Sequence, residues 1–248
     1  MLTLEVYGSS SKGNCYVLDN GKNKIMLDCG VKKLNEKVDL NAINGVILTH
    51  LHSDHTKGVK DIKDFYKGNY YGNKETLDIL PVIDGFKTPI CESQKFCIGS
   101  FAIVPFELEH DVKCYGYLIK DTISNAKILY ITDTGMINYS FKDIDYFLIE
   151  SNCDENDLTY EDYKEVRLYN THLSCQQTLE FLQENTNYNT KKVILCHISN
   201  SEENYLRHQE FIKNGLSNEK IEVLALDPHM KTKITIELKK DLEGFDFN

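Results

Sequence analysis

"THLHSDHTKG", residues 49–58, is the stretch on which the reading of the whole chain turns. It sets His50, His52, Asp54 and His55 within six residues, after the β-branched run "GVILT" and before a Thr, a Lys and a Gly. A short apolar run that ends at polar residues has the form of a buried strand delivering side chains at its C-terminal end. Strand alternation points His50 and His52 the same way, and the following turn returns Asp54 and His55 towards the same centre. Neutral imidazole and carboxylate are ligands of Zn²⁺, Mn²⁺ or Fe²⁺. The motif holds no thiolate, which argues against a closed, zinc-finger-like site. A cluster of this kind is an exposed coincidence, a structural staple or an enzyme centre, and the rest of the chain must choose.

The same device recurs along the sequence. "VPFELEH" ends at His110, "ILYIT" runs into Asp133, "VILC" into His197, and His172 opens "THLS" ahead of a helical pattern. Any one of these alone is more often a hydrogen-bonded structural residue. Together they repeat one arrangement, an apolar strand that terminates in a ligand-type side chain. His208 and His229 stand outside it and are assigned to the surface.

Several runs read as strands: "LTLEVYG", "NCYVLD", "KIMLDCG" and "GVILTH", then "KFCIGSFAIVPFELEH", "CYGYLIKD", "AKILYITD" and "YFLIES", and later "KVILCH", "IEVLAL" and "TKITIEL". After the motif, Val59, Ile62, Phe65 and Tyr66 have helical spacing with Gly68 as a stop. A polar, helix-leaning stretch runs from Asp154 to Arg167. "SCQQTLEFLQENT" is a helix with Ser174 as N-cap, and "EENYLRHQEFIKNG" is another, closed by Gly215. Two sheets with helices on their outer faces accommodate this order. The Gly/Ser stretch "GSSSKGN" lacks the P-loop pattern and precedes a strand, so it reads as a turn whose Ser and Asn side chains line an edge of the site. Ser53 and Thr56 are expected to serve supporting hydrogen bonds.

At 248 residues, with 41% hydrophobic and 27% charged content, the chain is an ordinary globular sequence long enough for a sizeable core. No repeat or Pro/Ser linker divides it, so one domain over residues 1–248 is expected. No signal-peptide pattern opens it and no apolar run approaches the roughly 20 residues of a bilayer span. Its eight cysteines are scattered, with no C-x-x-C pair. Mostly buried free thiols and a cytoplasmic location follow as expectations. The net charge is −10, and basic residues come at most in pairs such as Lys32-Lys33, Lys191-Lys192 and Lys239-Lys240. A protein that grips polymeric nucleic acid usually shows a basic stripe.

On these residues "THLHSDH" resembles the H-x-H-x-D-H signature of the metallo-β-lactamase-fold hydrolases. His110, Asp133 and His197 resemble that superfamily's later ligands, and Asp28 in "IMLDCG" its early supporting aspartate. The likeness runs through "GSSSKGNCYVLDNGKNKIMLDCG", "FAIVPFELEHDV", "ILYITDTG", "FLIESNCDENDL", "RLYNTHLS" and "VILCHIS" in that order. It is most similar to the YycJ/WalJ and PhnP branch of phosphodiesterases and nucleases. The resemblance implies an α/β fold, a four-layer αββα sandwich with a two-metal site at one edge. It implies one ion on His50, His52 and His110 and a second on Asp54, His55 and His197, with Asp133 bridging and a water or hydroxide between the metals as nucleophile. Zinc is the first expectation for the metal, with manganese or iron as alternatives. His172 resembles the histidine of the branch's H-L-S, which assists catalysis beyond the metal ligands; read from its position alone it caps the next helix. The chain departs from the branch at Cys153, where a histidine often stands, and in a short segment before "RLYNTHLS".

A phosphodiester is therefore the expected substrate. The acidic balance favours a small nucleotide, in particular a 3′,5′-cyclic mononucleotide, over polymeric DNA or RNA, and no membrane partner is expected. Fifteen tyrosines and eleven phenylalanines offer stacking surfaces. "FYKGNYYGN", residues 65–73, is placed to overhang the site, or else lies in the core or a dimer contact. Small size, acidity and ligand set are also similar to the phage anti-Pycsar phosphodiesterases, which implies a homodimer. The alternatives are a metal-dependent nuclease of the YycJ/WalJ type and a metal-binding interaction protein.

Overall fold

The computed structural model describes residues 1–159, 163–199 and 204–238. Part of the polar stretch before Arg167, the first residues of the "EENYLRHQEFIKNG" pattern and the Lys239-Lys240 pair lie outside the described residues.

Among the described residues, two seven-stranded sheets carry the fold. In the first, β1 (Leu2–Gly8), β2 (Cys15–Asp19), β3 (Lys24–Leu27), β4 (Ile43–Ile47), β5 (Asn69–Gly72) and β6 (Lys87–Pro89) follow in space as in sequence, and β14 (Ile234–Leu238) pairs outside β1. In the second, β7 (Phe96–Ile98), β8 (Phe101–Leu108), β9 (Cys114–Asp121), β10 (Lys127–Ile131), β11 (Tyr146–Glu150), β12 (Lys192–Cys196) and β13 (Glu222–Ala225) are likewise adjacent in order. Each sheet changes character along its width. Antiparallel hairpins occupy one side, while β3 to β6 and β10 to β13 run parallel.

Strand parity explains the layering. Tyr16 and Leu18 of β2, Ile128 and Tyr130 of β10, and Ile194 and Cys196 of β12 meet in a core between the sheets. Their alternates face outwards. Val17 and Met26 join Leu34, Val59, Ile62 and Leu77 on one side, while Leu129, Ile131, Val193 and Leu195 join Phe181, Leu182 and Ile212 on the other. Both faces of the parallel strands are covered, so they read in sequence as unbroken apolar runs. Helices α1 (Ser53–Thr56), α2 (Val59–Ile62) and α3 (Lys74–Asp78) lie in the first half, and α4 (Tyr163–Thr171), α5 (Cys175–Asn185) and α6 (Asn204–Gly215) in the second. The result is the expected αββα sandwich. Among the described residues, no helix is long and apolar enough to cross a membrane.

Three expectations are corrected. The helix expected after the motif is a single turn, α2, separated from the turn α1 inside the motif because the chain at Gly58 is held against the exit of β3. Its N–H donates to the Cys29 carbonyl at 2.8 Å, and a Cβ there would lie 2.3 Å from the Val31 carbonyl oxygen. The Phe65–Asn73 stretch is not an overhanging loop: "NYYG" is β5, paired parallel with β4 and β6, and Tyr66 and Tyr70 are core residues in edge-to-face contact. His208 is fully buried, its Nδ1 2.8 Å from the Ser151 carbonyl, and His229 is half-buried. Of the eight cysteines six are buried and two, Cys91 and Cys97, exposed. Ser174 caps α5 as expected, with Gln177 completing a reciprocal capping box.

Candidate metal centre

The parallel strands of both sheets end at one edge of the sandwich. Asp28 follows β3 and Thr49-His50 follow β4. From the second sheet come His110 after β8, Asp133 after β10, Glu150 at the end of β11 and His197 after β12. Asp28, Asp133 and His197 leave their strands with left-handed backbone, at φ of 55°, 55° and 48°. Such residues cost about 1–3 kcal/mol each and persist where surrounding structure holds them. Here the bend turns each side chain across the sheet edge instead of along it. Gly30 permits the other close approach, since a Cβ there would sit 1.5 Å from the Asp54 carbonyl oxygen.

The side chains gather into two adjoining groups. His50, His52 and His110 form one, and Asp54, His55, Asp133 and His197 the other, each with its ligand atoms within 4.8 Å of one another; Asp133, Glu150, His172 and His197 form a third such set that overlaps the second. All seven residues expected from the sequence as metal ligands are thus brought together. In the second group His55 Nε2 lies 3.0 Å from Asp133 and 3.4 Å from Asp54, and His197 Nε2 3.3 Å from Asp54 and 3.7 Å from Asp133.

Each imidazole has one nitrogen held by the protein and the other turned to its group. His55 Nδ1 pairs with Asp28 at 2.8 Å, His197 Nδ1 with Glu150 at 2.9 Å, His110 Nδ1 with the Thr171 carbonyl at 3.0 Å, and His50 Nδ1 with Thr49 Oγ1 at 3.0 Å. His52 uses the opposite nitrogen, with Nε2 3.4 Å from Asp111 and Nδ1 facing His110. Supporting partners of this kind fix the orientation and tautomer of a metal-binding histidine. His50 Nε2 is buried with no hydrogen-bond partner among the described residues. A buried ring nitrogen left without a donor or acceptor is costly unless something else occupies that position. That orphan atom, the all-N/O donor set and the two adjoining groups fit a pair of divalent ions.

The local charges divide the groups. Burial and the neighbouring His55 charge push His50 well below its ordinary pKa, and burial lowers His110 as well. Burial also opposes the charged forms of His55 and His197, but Asp133 and Asp28 outweigh it for His55, and Asp133 and Asp54 for His197. His55 is held well above its usual value and His197 at about 10. Burial raises Asp54, but hydrogen bonds from His197 and His55 overcome it and keep the carboxyl well below the usual carboxylate range.

Glu150 is the residue that the sequence reading missed. It is fully buried, and its Oε1 lies 2.7 Å from His172 Nδ1 and 2.9 Å from His197 Nδ1. Its Oε2 accepts from the backbone N–H groups of Thr134 and Leu173, both at 3.2 Å. The signal was present, since "YFLIE" is an apolar strand ending in a carboxylate like the others. His172 does not cap α5, a role Ser174 fills. It follows α4 and stacks on His197 with ring centroids 5.3 Å apart, and its pKa is raised: burial lowers it, but the Glu150 charge more than compensates.

Asn14 of the "GSSSKGN" turn contacts His55 Nε2 at 3.0 Å and Ser11 lines the site. Thr56 Oγ1 donates to the His52 carbonyl at 3.0 Å. Tyr130, also unforeseen, donates to Asp28 at 2.6 Å. Cys153 is buried and its carbonyl accepts from Cys175 N–H; it does not line the site. The groups open into a cavity of about 280 Å³ bordered by Asp54, Asp133, Arg167, His172 and His197. A wider cleft beside it, about 940 Å³, is lined by Glu75, Glu92, Glu107, Glu109 and Asp111 and touches the centre only at His110 and Asp111. The wider cleft lacks the ligand constellation, so the smaller cavity is where chemistry can occur.

Comparison with known proteins agrees with this geometry. The family description "Beta-lactamase superfamily domain" matches residues 23–198, a span from β3 to the residue after His197. The chain belongs to the β-lactamase superfamily. It is a metallo-β-lactamase-fold hydrolase whose His/Asp groups imply divalent metal ions. Exodeoxyribonuclease YycJ of Bacillus anthracis is 26% identical over 94% of this chain and 98% of its own length. Exodeoxyribonuclease WalJ of Streptococcus pneumoniae is 28% identical over 78% of this chain and 80% of its own. Among solved structures, the metallo-β-lactamase fold protein YhfI from Bacillus subtilis superposes with a TM-score of 0.72 at 18% identity, covering 96% of this chain and 100% of that one.

Proposed function

We propose that this chain is a two-metal phosphodiesterase that removes nucleotides from the end of a DNA strand. The observation that carries the reading is the buried Glu150–His172 pair standing beside two adjoining ligand groups, in a cavity of about 280 Å³. That volume lies at the small end of ligand sites and suits about one nucleotide. A strand end can enter such a space, whereas a continuous duplex needs an open basic track. Similarity to two exodeoxyribonucleases along most of their length supports the same substrate.

When bound, a pair of divalent ions supplies water of lowered pKa and Lewis-acid contacts to a phosphoryl group. His50, His52 and His110 would hold one ion and Asp54, His55 and His197 the other, with Asp133 between them. Zinc suits the donor set, and manganese or iron are accepted by the same ligands. Glu150 holds His172 through Nδ1, so that Nε2 is the nitrogen available to the cavity. A proton at that nitrogen is placed for the leaving oxygen as the P–O bond breaks, the role of a general acid. The same carboxylate oxygen orients His197, so one buried group aligns a metal ligand with the acid.

A second reading is favoured by a different observation. The net charge of −10 and the acid-lined cleft beside the site disfavour a long polyanion. A 3′,5′-cyclic mononucleotide would fill the cavity without needing any track.

Purified, metal-loaded protein is to be incubated with linear DNA, covalently closed circular DNA and cyclic mononucleotides, with Asp54→Ala as the blank. Mononucleotides released from linear DNA while circles survive are the expected result. Cleavage of cyclic nucleotides alone would replace the first reading with the second. Nicking of circles would overturn both, since it requires access to the middle of a strand.

A further inference from the structure

Arg167 is the only Lys or Arg that borders the cavity among the described residues. It stands on α4, five residues before His172. Thr171, at the end of the same helix, receives His110 Nδ1 on its carbonyl. One short helix therefore presents a cation to the cavity and sets the position of both a metal-group histidine and His172. The guanidinium is more than half exposed, and it donates from one terminal nitrogen to Asp111 Oδ2. The other oxygen of Asp111 lies 3.2 Å from His110 Nε2 and 3.4 Å from His52 Nε2. Asp111 thus holds the guanidinium beside the centre, with the rest of its planar fork unused by that bond.

The surroundings leave an anion little choice of approach. On the far side of Asp111 runs the cleft lined by Glu75, Glu92, Glu107 and Glu109, where the one lysine, Lys113, is paired with Glu107, so that the excess of carboxylates repels phosphate. A phosphate held at the ligand groups and a second phosphate on the same nucleotide cannot both rest on the metals. Arg167 offers the second a bidentate partner, and guanidinium is the side chain whose geometry matches a phosphate fork.

We propose that Arg167 binds a second, non-scissile phosphate of the substrate, so that the site selects strand ends that carry a terminal phosphate over ends that carry a hydroxyl. The substrate named here rests on the strand-end reading above. The clamp itself rests on the position of Arg167 and extends to any nucleotide with two phosphate groups. Asp111 acts as a positioning residue that keeps the guanidinium at the cavity mouth.

Two measurements separate the clamp from the strand-end reading. The first is binding by calorimetry of a nucleoside 3′,5′-bisphosphate and of the corresponding monophosphates to the metal-loaded protein. The bisphosphate is expected to bind about 10- to 100-fold more tightly than either monophosphate, the range for hydrogen bonds to charged groups. Arg167→Ala should abolish the difference, Arg167→Lys should keep part of it, and metal content should stay unchanged in both. The second is hydrolysis of oligonucleotides that differ only in a phosphate at the 5′ or the 3′ end. The wild-type protein should show the lower KM for one phosphorylated end, and Arg167→Ala should raise that KM to the value of the hydroxyl end with kcat within about threefold. An unchanged bisphosphate preference in Arg167→Ala overturns the clamp, whatever DNA does. Intact DNA together with a lost preference in Arg167→Ala sustains the clamp and removes the strand-end reading instead. An equal fall in kcat on both oligonucleotides, with altered metal content, would make Arg167 a structural support and end the proposal.

Discussion

The two ligand groups differ in how they are built. His50, His52 and His110 are all imidazoles, His50 sits well below its ordinary pKa and His110 below its own, and His52 is partly open to solvent. Asp54, His55, Asp133 and His197 mix two carboxylates with two imidazoles, all but Asp54 almost fully buried, and are backed by Asp28 and Glu150. In the first group, burial biases His50 and His110 towards the neutral form that binds a cation. In the second, the charge that will hold a cation already holds protons on His55 and His197. A pair of sites built this way shares one edge of the fold but differs in the protons each must release, the degree of burial and the dependence on residues behind it.

The largest effect should come from the residue that backs the second group without joining either proposed ligand set. His172→Ala should lower turnover by about 10²- to 10⁴-fold, the usual contribution of a positioned general acid. Both ions should remain, as measured by elemental analysis. Turnover within tenfold of wild type would remove His172 from the chemistry, and loss of an ion would make it part of the second group. Glu150→Gln should also lower turnover, but by less than His172→Ala, because it loosens His172 and His197 without removing either.

Proton release sharpens the contrast. Deprotonation is a condition of imidazole binding to a metal. Ion uptake at the second group must expel the protons on His55 and His197 and should strengthen as pH rises towards about 10, where His197 titrates. The first group should bind almost independently of pH above about 6.5, the ordinary histidine value. The sign for stability runs the other way. His197 has a folded pKa raised above 6.5, so in chelator-treated protein its contribution is fully present below 6.5 and is lost as pH rises through about 10. Calorimetric titrations in buffers of different ionisation enthalpy should resolve one ion taken up with protons released and one without. Equal proton release from both would erase the distinction between the groups.

Much of this edge was legible in the sequence, because one physical device recurs. An apolar strand that ends in His or Asp announces both its burial and its product, which singles out His110 after antiparallel β8, and Asp133 and His197 after parallel β10 and β12, beside the 49–58 motif. Glu150 obeys the same rule, although a glutamate that closes a strand reads in sequence as its polar stop rather than as what the strand delivers. Asp111 and Tyr130 gave no such signal: their importance depends on which side chains lie opposite across the two sheets, which a linear pattern does not encode. His208 was misplaced although Tyr205, His208, Ile212 and Leu216 form one helical stripe, and a polar residue on an apolar stripe is buried with a partner. The Gly and Asn residues of "FYKGNYYGN" looked like loop breakers. Parallel pairing on both sides of β5 outweighed them.

The smallest predicted effect reaches the second group through Tyr130. Its hydroxyl donates to Asp28 Oδ2, the oxygen that also holds His55 Nδ1, while Thr49 N–H and Oγ1 hold the other oxygen at 2.8 and 3.0 Å. Tyr130→Phe removes one of the hydrogen bonds on that carboxylate and leaves the ring in the inter-sheet core. Stability should fall by about 1–1.5 kcal/mol in chemical denaturation, the usual net worth of a hydrogen bond. Affinity for the ion whose uptake releases protons should fall by about tenfold, the low end for residues that support a ligand, because Thr49 still fixes Asp28. The other ion should be unaffected, since no member of its group rests on Tyr130. If both ions weakened together, Asp28 would be anchoring the two groups as a unit through Thr49, whose Oγ1 also contacts His50 Nδ1 at 3.0 Å. That outcome would place the boundary between the groups at the cavity and not in the network behind it.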